Sequence, residues 1–207
     1  MDRREFLKTI GIACFCCLSK LSCAKSRITI AIQPFENFEK RLIEKIQTGI
    51  LHLYGDVVIV VLPSKDLPQS AYYKPRNRYR AEKLLDYLES IIDKSHTKIL
   101  GLTTRDISTT KGEHYDWGIF GLGQISGPAC VVSTYRLGRG KVSEKLFTER
   151  LIKIVNHELG HTFGLTHCPN KGCLMEDAKG KIATVDRSSG NFCNECRRLL
   201  DRILGGL

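Results

Sequence analysis

Apolar and polar positions fall into blocks along this chain, and the period within a block changes from two to nearly four and back. The run 27–33, Arg27 to Gln33, is rich in isoleucine and stopped by Pro34, which predicts a strand. From Phe35 to Tyr54 the apolar residues Phe38, Leu42, Ile43, Ile46, Ile50 and Leu53 recur at helical spacing. That face should pack on a sheet, Gly55 ends the helix, and His52 reads as a capping or surface residue. Val57 to Leu62 is continuously apolar, as expected of a strand covered on both faces. Residues 63–79 hold Pro63, Pro68 and Pro75 with little periodicity and read as a long connection. A second helix is predicted from about Tyr79 to Asp93, with Leu84, Leu85, Leu88, Ile91 and Ile92 inward, and a third strand over Lys98–Thr103. This alternation of strands and helices predicts an α/β layer with a mostly parallel sheet. Residues 104–118 are polar and turn-rich, and His114 reads as a solvated side chain or a substrate contact. The glycines of Trp117–Gln124 would let another backbone approach closely, and a strand follows over Cys130–Thr134. Ser143 is a candidate N-cap for a helix whose buried face holds Leu146, Phe147, Leu151, Ile154 and Val155 and which ends near Phe163-Gly164. A closing helix over about 194–203 turns Leu199, Leu200 and Ile203 inward.

The chemistry concentrates at the end of the helix that Ser143 opens. Between His157 and His167 the chain reads H-E-x-x-H-x-x-G-x-x-H, three histidines in eleven residues. On a helix His157 and His161 project from one face, so both imidazoles can reach one ion. Glu158 is rotated about 100° from His157 and can lie beside the metal as a general base without ligating it. Gly164 permits a positive φ, so the chain can turn and bring back His167 as a third ligand. Three protein ligands leave one tetrahedral position open for water, which describes a catalytic zinc site. The first five positions alone arise by chance in roughly one chain in a few hundred, and the added Gly and His cut that about a thousand-fold.

Beyond the triad come Cys168, then Lys171-Gly172-Cys173-Leu174-Met175, and later Cys193-Asn194-Glu195-Cys196. With the histidine motif, this order resembles the archaemetzincin (archaelysin) family of metzincin zinc peptidases. The motif covers His157 to Cys196, and looser similarity runs back to about Arg27. The resemblance implies a compact single metzincin-like α/β (α+β) domain, its twisted sheet mixed and mostly parallel with an antiparallel edge strand. It implies two Zn²⁺ per chain: one catalytic, on His157, His161 and His167, and one structural, on Cys168, Cys173, Cys193 and Cys196. It places Met175 beneath the histidines and makes Trp117–Gln124 the edge to which a peptide or protein substrate adds as an extended strand. Some metzincins add a tyrosine just after the methionine; here the last tyrosine is Tyr135, so that group is missing. Two disulfides are the alternative for the four cysteines, because an exported protein meets an oxidising compartment. A non-catalytic metal-stabilised binding protein is the alternative for the whole chain.

Composition adds little to this picture, but charge and the N-terminus do. At 207 residues, with 42% apolar and 26% charged residues, the chain suits one well-buried domain and a monomer is expected. A net charge of +10 raises the possibility of nucleic-acid binding. Part of it lies in the first 25 residues, as Arg3, Arg4, Lys8, Lys20 and Lys25 against Asp2 and Glu5. The densest remaining patch is Lys74, Arg76, Arg78, Arg80 and Lys83, beside Tyr72-Tyr73. A diffuse basic surface is more often solvated than a recognition face, so no nucleic acid is expected. Residues 1–24 read as a twin-arginine-type signal: Arg3-Arg4, a weakly apolar stretch from Thr9 to Leu21, and Ser22-Cys23-Ala24 before the 25–207 domain. This predicts an exported, periplasmic or extracytoplasmic protein that touches membrane only through the signal or a lipid on Cys23. A cytoplasmic enzyme with an N-terminal extension is the alternative. Cys130, alone in an apolar run, reads as a buried small hydrophobe.

Overall fold

The computed structural model describes residues 28–206, so the signal expected over 1–24 lies outside the described residues. A five-stranded sheet organises the fold. It contains β1 (Thr29–Pro34), β2 (Val58–Val61), β5 (Lys98–Thr103), β8 (Gly121–Gly123) and β9 (Ala129–Ser133), in the order β2-β1-β5-β9-β8. The first four in that order pair in parallel, and β8 pairs antiparallel with β9 at the edge. The expected fold class, with its antiparallel edge strand, is the observed one. Helices α1 (Lys40–Tyr54) and α3 (Glu144–Thr162) pack on one face of this sheet. Helix α2 (Ala81–Ile91) packs on the other, where Leu84, Leu85 and Leu88 meet Ala31, Ile99 and Val131. Two short helices, α4 (Ile182–Arg187) and α5 (Asn194–Gly206), close the C-terminal end. No described helix is long and apolar enough to cross a membrane.

The observed elements correct several sequence expectations. Helix α1 begins at Lys40 and not at Phe35, because Phe35 still follows the sheet and bridges to Lys65. Pro34 is the last residue of β1 and not a stop outside it; it stands opposite Leu102. Strand β2 is not covered on both faces: it is an edge, and Val61 is 41% exposed. Leu199 points outward, while Leu200 is the fully buried residue of α5.

The largest correction is a second sheet. Strands β3 (Tyr72–Tyr73), β4 (Arg78–Arg80), β6 (Ile107–Lys111) and β7 (His114–Ile119) form it, in chain order. Residues 63–79 and 104–118 are therefore not simple connections, and Trp117–Gln124 splits between β7 and the edge strand β8. Charge, as much as apolar contact, holds this sheet. Arg78 bonds Asp116 at 3.0 Å and lies 3.1 Å from Asp106, and Arg136 pairs with both Asp106 oxygens at 2.7 and 2.8 Å. Arg80 is buried against the Tyr115 carbonyl, Glu82 and the Tyr115 ring. Two members of the basic patch thus hold the sheet together and are not exposed to a nucleic-acid strand.

Candidate active site

Helix α3 is capped by Ser143, whose hydroxyl accepts the Leu146 N–H at 3.2 Å, as the sequence predicts. Its last two turns carry His157, Glu158 and His161 to a cavity of about 360 Å³. The Nε2 atoms of His157 and His161 are 3.1 Å apart. Each Nδ1 lies 2.7 Å from a backbone carbonyl, that of Leu174 for His157 and of Leu165 for His161. A carbonyl only accepts, so each Nδ1 holds the proton and each Nε2 presents a lone pair. Two lone pairs at that distance repel unless a cation lies between them. Tetrahedral nitrogens about 2.05 Å from zinc would stand about 3.3 Å apart, close to the observed spacing. Burial and the neighbouring His161 push His157 down to about 3, and burial lowers His161, so both are neutral and ready to ligate at neutral pH.

Gly164 has φ +94°, which turns the chain out of α3 and returns exposed His167 to the other two. Its ring centroid is 5.5 Å from that of His157 and 4.9 Å from that of His161. The three imidazoles present nitrogens within 4.8 Å of one another, so the whole predicted triad assembles. Met175 is fully buried. A Cβ on Gly160 would meet the Met175 sulfur at 2.6 Å, so that glycine makes room for the methionine under α3.

Glu158 is only 7% exposed and receives the backbone N–H of Gly123. Burial pushes its carboxyl up to about 8, and a cation at the triad would act in the opposite direction. Edge strand β8 lies directly on this residue. A Cβ on Gly121 would stand 2.9 Å from Glu158 Oε1, and one on Gly123 2.4 Å from the Glu158 carbonyl oxygen. The alternation Gly121-x-Gly123 is the physical reason an edge strand can rest against α3. Only the general statement that these glycines admit a backbone was legible in the sequence.

Sequence reasoning missed several residues of the cavity wall, Lys153, Asp177 and Thr184, while Trp117, the first residue of the expected substrate edge, lines it as well. Lys153 lies one turn before His157, so helical periodicity alone would have found it. Trp117 comes from β7, and its Nε1 lies 3.5 Å from where a Cβ on Gly180 would be. That pairing depends on the second sheet, which the sequence did not show. His114 is exposed beside Trp117, with ring centroids 5.8 Å apart, and does not line the cavity.

The second cluster begins at the residue after His167. Cys168, Cys173, Cys193 and Cys196 bring four sulfurs within 4.8 Å of one another. Cys168 and Cys193 are separated by 3.7 Å, and Cys173 and Cys196 by 3.8 Å. Tetrahedral sulfurs about 2.3 Å from zinc would be about 3.8 Å apart, whereas a disulfide needs about 2.05 Å. Backbone N–H groups of Asn170, Met175 and Cys193 approach these sulfurs at 3.3–3.5 Å, a setting that favours thiolates. Against the cost of burial, hydrogen bonds from the Cys196 N–H, Asn170 and neighbouring thiols bring the Cys193 thiol below its ordinary range. Cys130 is wholly buried and apart from this group.

Residues 25–202 match the model of peptidase family M54. An archaemetzincin of Methanopyrus kandleri is 36% identical over 163 residues, covering 79% of this chain and 88% of that one. One of Saccharolobus solfataricus is 32% identical over 183 residues, covering 86% and 96%. The crystal structure of the M. kandleri protein is similar at TM-score 0.76 and 32% identity, spanning 89% of this chain and 99% of that one. The Archaeoglobus fulgidus archaemetzincin, solved with malonate, is similar at TM-score 0.69 and 28% identity, spanning 83% and 99%.

Proposed function

This chain belongs to peptidase family M54, with the archaemetzincins, and is a zinc metallopeptidase; from that premise we propose how its own residues hydrolyse a peptide bond. His157, His161 and His167 hold the catalytic zinc. The observation that carries this is the 3.1 Å approach of two Nε2 lone pairs whose Nδ1 protons are already given to carbonyls. When bound, zinc lowers the pKa of a water from about 15.7 towards about 7 and polarises the scissile carbonyl. Glu158 accepts the proton of the attacking water and later passes it to the leaving amine. Its burial at the cavity wall, with the Gly123 N–H on it, keeps that carboxylate oriented and away from bulk water. The peptide lies extended along the outer edge of β8, which among the described residues pairs only with β9.

Cys168, Cys173, Cys193 and Cys196 hold a second, structural zinc that ties the segment after His167 to the start of α5. The 25–207 unit carries both sites, and we assign residues 1–24 to twin-arginine-type export. The family match beginning at residue 25 supports that division. Cell fractionation should find the full chain outside the cytoplasm and an Arg3→Lys, Arg4→Lys double variant inside it; equal distribution would remove the export assignment.

Elemental analysis of residues 25–207 tests the metal sites. Two zincs in the parent and one in His161→Ala are expected. One in the parent and none in the variant would leave the cysteines without metal. None in folded parent protein would defeat the assignment.

A further inference from the structure

Resting on the peptidase reading, we propose that Lys153 makes the cleft beside the triad a carboxylate subsite, so that the enzyme selects peptides with an acidic group on the residue just after the bond cleaved. Lys153 lies one helical turn upstream of His157 on the same face of α3 and lines the same cavity as the triad. Among the described residues its ammonium donates only to two backbone carbonyls, Val185 at 3.2 Å and Asp186 at 3.4 Å. Among the described residues, no carboxylate lies within ion-pair distance of it. The one beside it, Asp186, is engaged by Arg150, with both oxygens bound at 2.7 and 2.8 Å. Of the acids in the cavity wall, Glu176 is held by Arg187 and the Gly172 N–H, and Asp177 by the Lys179 N–H. Asp186 thus pairs with Arg150 and feels Lys153 only at longer range, so this lysine of the cavity wall has no carboxylate at contact distance.

The surroundings suit a carboxylate on a short apolar stem. Ile154, Leu174 and Val185 supply apolar wall, and Thr184 and Ser188 supply hydroxyls. The lysine stem passes close to Gly190, where an added Cβ would lie 3.6 Å from Lys153 Cε. A substrate carboxylate would give the ammonium an oppositely charged partner in place of two long bonds to neutral carbonyls.

Strand β8 fixes which residue reaches the lysine. Gly121 lies over the Glu158 side chain, and Gly123 over the Glu158 carbonyl and His161 Cβ, so β8 runs in the direction of α3. Its Gly121 end is the Lys153 end. A peptide paired antiparallel, the more stable mode, sets its residues after the scissile bond at that end.

The test is binding to zinc-loaded Glu158→Gln protein of acetylated, amidated alanine hexapeptides with one central glutamate or glutamine. The glutamate peptide should bind about ten-fold tighter at low salt. Lys153→Met should bring the ratio to about one, and Lys153→Arg should restore it, which guards against a merely unfolded variant. A glutamine peptide with a free C-terminus, compared with its amide, tells a side-chain carboxylate from a terminal one. Equal binding of both acid and neutral peptides, no binding of either, or a preference that survives Lys153→Met overturns the proposal. Sequencing the products of a random peptide library separates this from the underlying reading. Cleavage without acidic enrichment after the cut sinks the subsite and keeps the peptidase. An acid-selective binder that cleaves nothing keeps the subsite and sinks the peptidase.

Discussion

The two candidate metal sites share a peptide bond, His167 to Cys168, yet they are built on opposite principles. The histidine site uses neutral nitrogens, fixes their tautomers with carbonyls at 2.7 Å, and opens onto a cavity of about 360 Å³. The cysteine site uses sulfurs surrounded by N–H donors, and three of its four residues are buried. The first arrangement leaves room for a reactant, whereas the second has its four donors already in place around one point. The contrast teaches that neighbouring ligands in one chain can be assigned to catalysis or to folding by what lies behind each donor atom.

The sharpest way to break the comparison is to remove one ligand from each site. Cys196→Ala should release α5 and the segment around His167. Structural zinc in small domains contributes on the order of 10 kcal/mol, so folding should be lost or nearly lost. His161→Ala should abolish turnover with a far smaller shift in thermal unfolding. If Cys196→Ala melted no lower than His161→Ala, the cysteine site would not be the structural one. Next in size, Glu158→Gln should lower kcat by about 10²–10⁴ while zinc content stays at that of the parent. Retained activity would exclude Glu158 as the base.

Titration sharpens the contrast further, because only the histidine site contains a buried acid. In protein without metal at the triad, Glu158 has a folded pKa of about 8 against an ordinary 4.5. A raised pKa means the folded state keeps its proton. The stabilising contribution is then complete below about 4.5 and is lost as pH rises through 8. Relative to Glu158→Gln, the parent should lose about 1.4 kcal/mol for each pH unit in that window. Metal at the triad should flatten the difference, and a pH-independent gap between the two proteins would contradict the burial of this carboxyl.

How much of this was legible in the sequence depends on what fixes each part. The triad was readable because helical periodicity alone brings His157 and His161 together, and Gly164 marks the turn that returns His167. The cysteine group was readable from spacing and order. Strands β5 and β9 were readable as apolar runs. The second sheet was not: it buries Arg78, Arg80 and Ser108 in its strands and Asp106 just before β6, so its coherence comes from ion pairs between distant segments that a hydrophobic pattern treats as surface. Strand β2 misled for the converse reason, since an apolar run can sit at a half-exposed edge. Lys153 could have been found from its place one turn before His157, whereas the contact of Trp117 with Gly180 and the wall that α4 adds beside Lys153 come from segments far along the chain.

The smallest predicted effect isolates how an edge strand serves only one of the two sites. A Cβ on Gly123 would stand 2.4 Å from the Glu158 carbonyl oxygen and 3.1 Å from His161 Cβ, and the nearer of these is backbone that cannot rotate away. Gly123→Ala must therefore push β8 off α3, which costs about 1–3 kcal/mol and pulls the Gly123 N–H from Glu158. Gly112→Ala is the matched control. Gly112 has φ +56° and nothing within 4 Å of an added Cβ, so its cost, about 1 kcal/mol, comes from backbone strain alone at a hairpin tip. Both variants should melt lower than the parent with full zinc in both sites, but only Gly123→Ala should also lose kcat. If the two variants lost activity in proportion to stability, β8 would serve the fold in general and not the orientation of Glu158. If Gly123→Ala alone lost activity, the edge strand would be part of the machinery that separates the open site from the closed one.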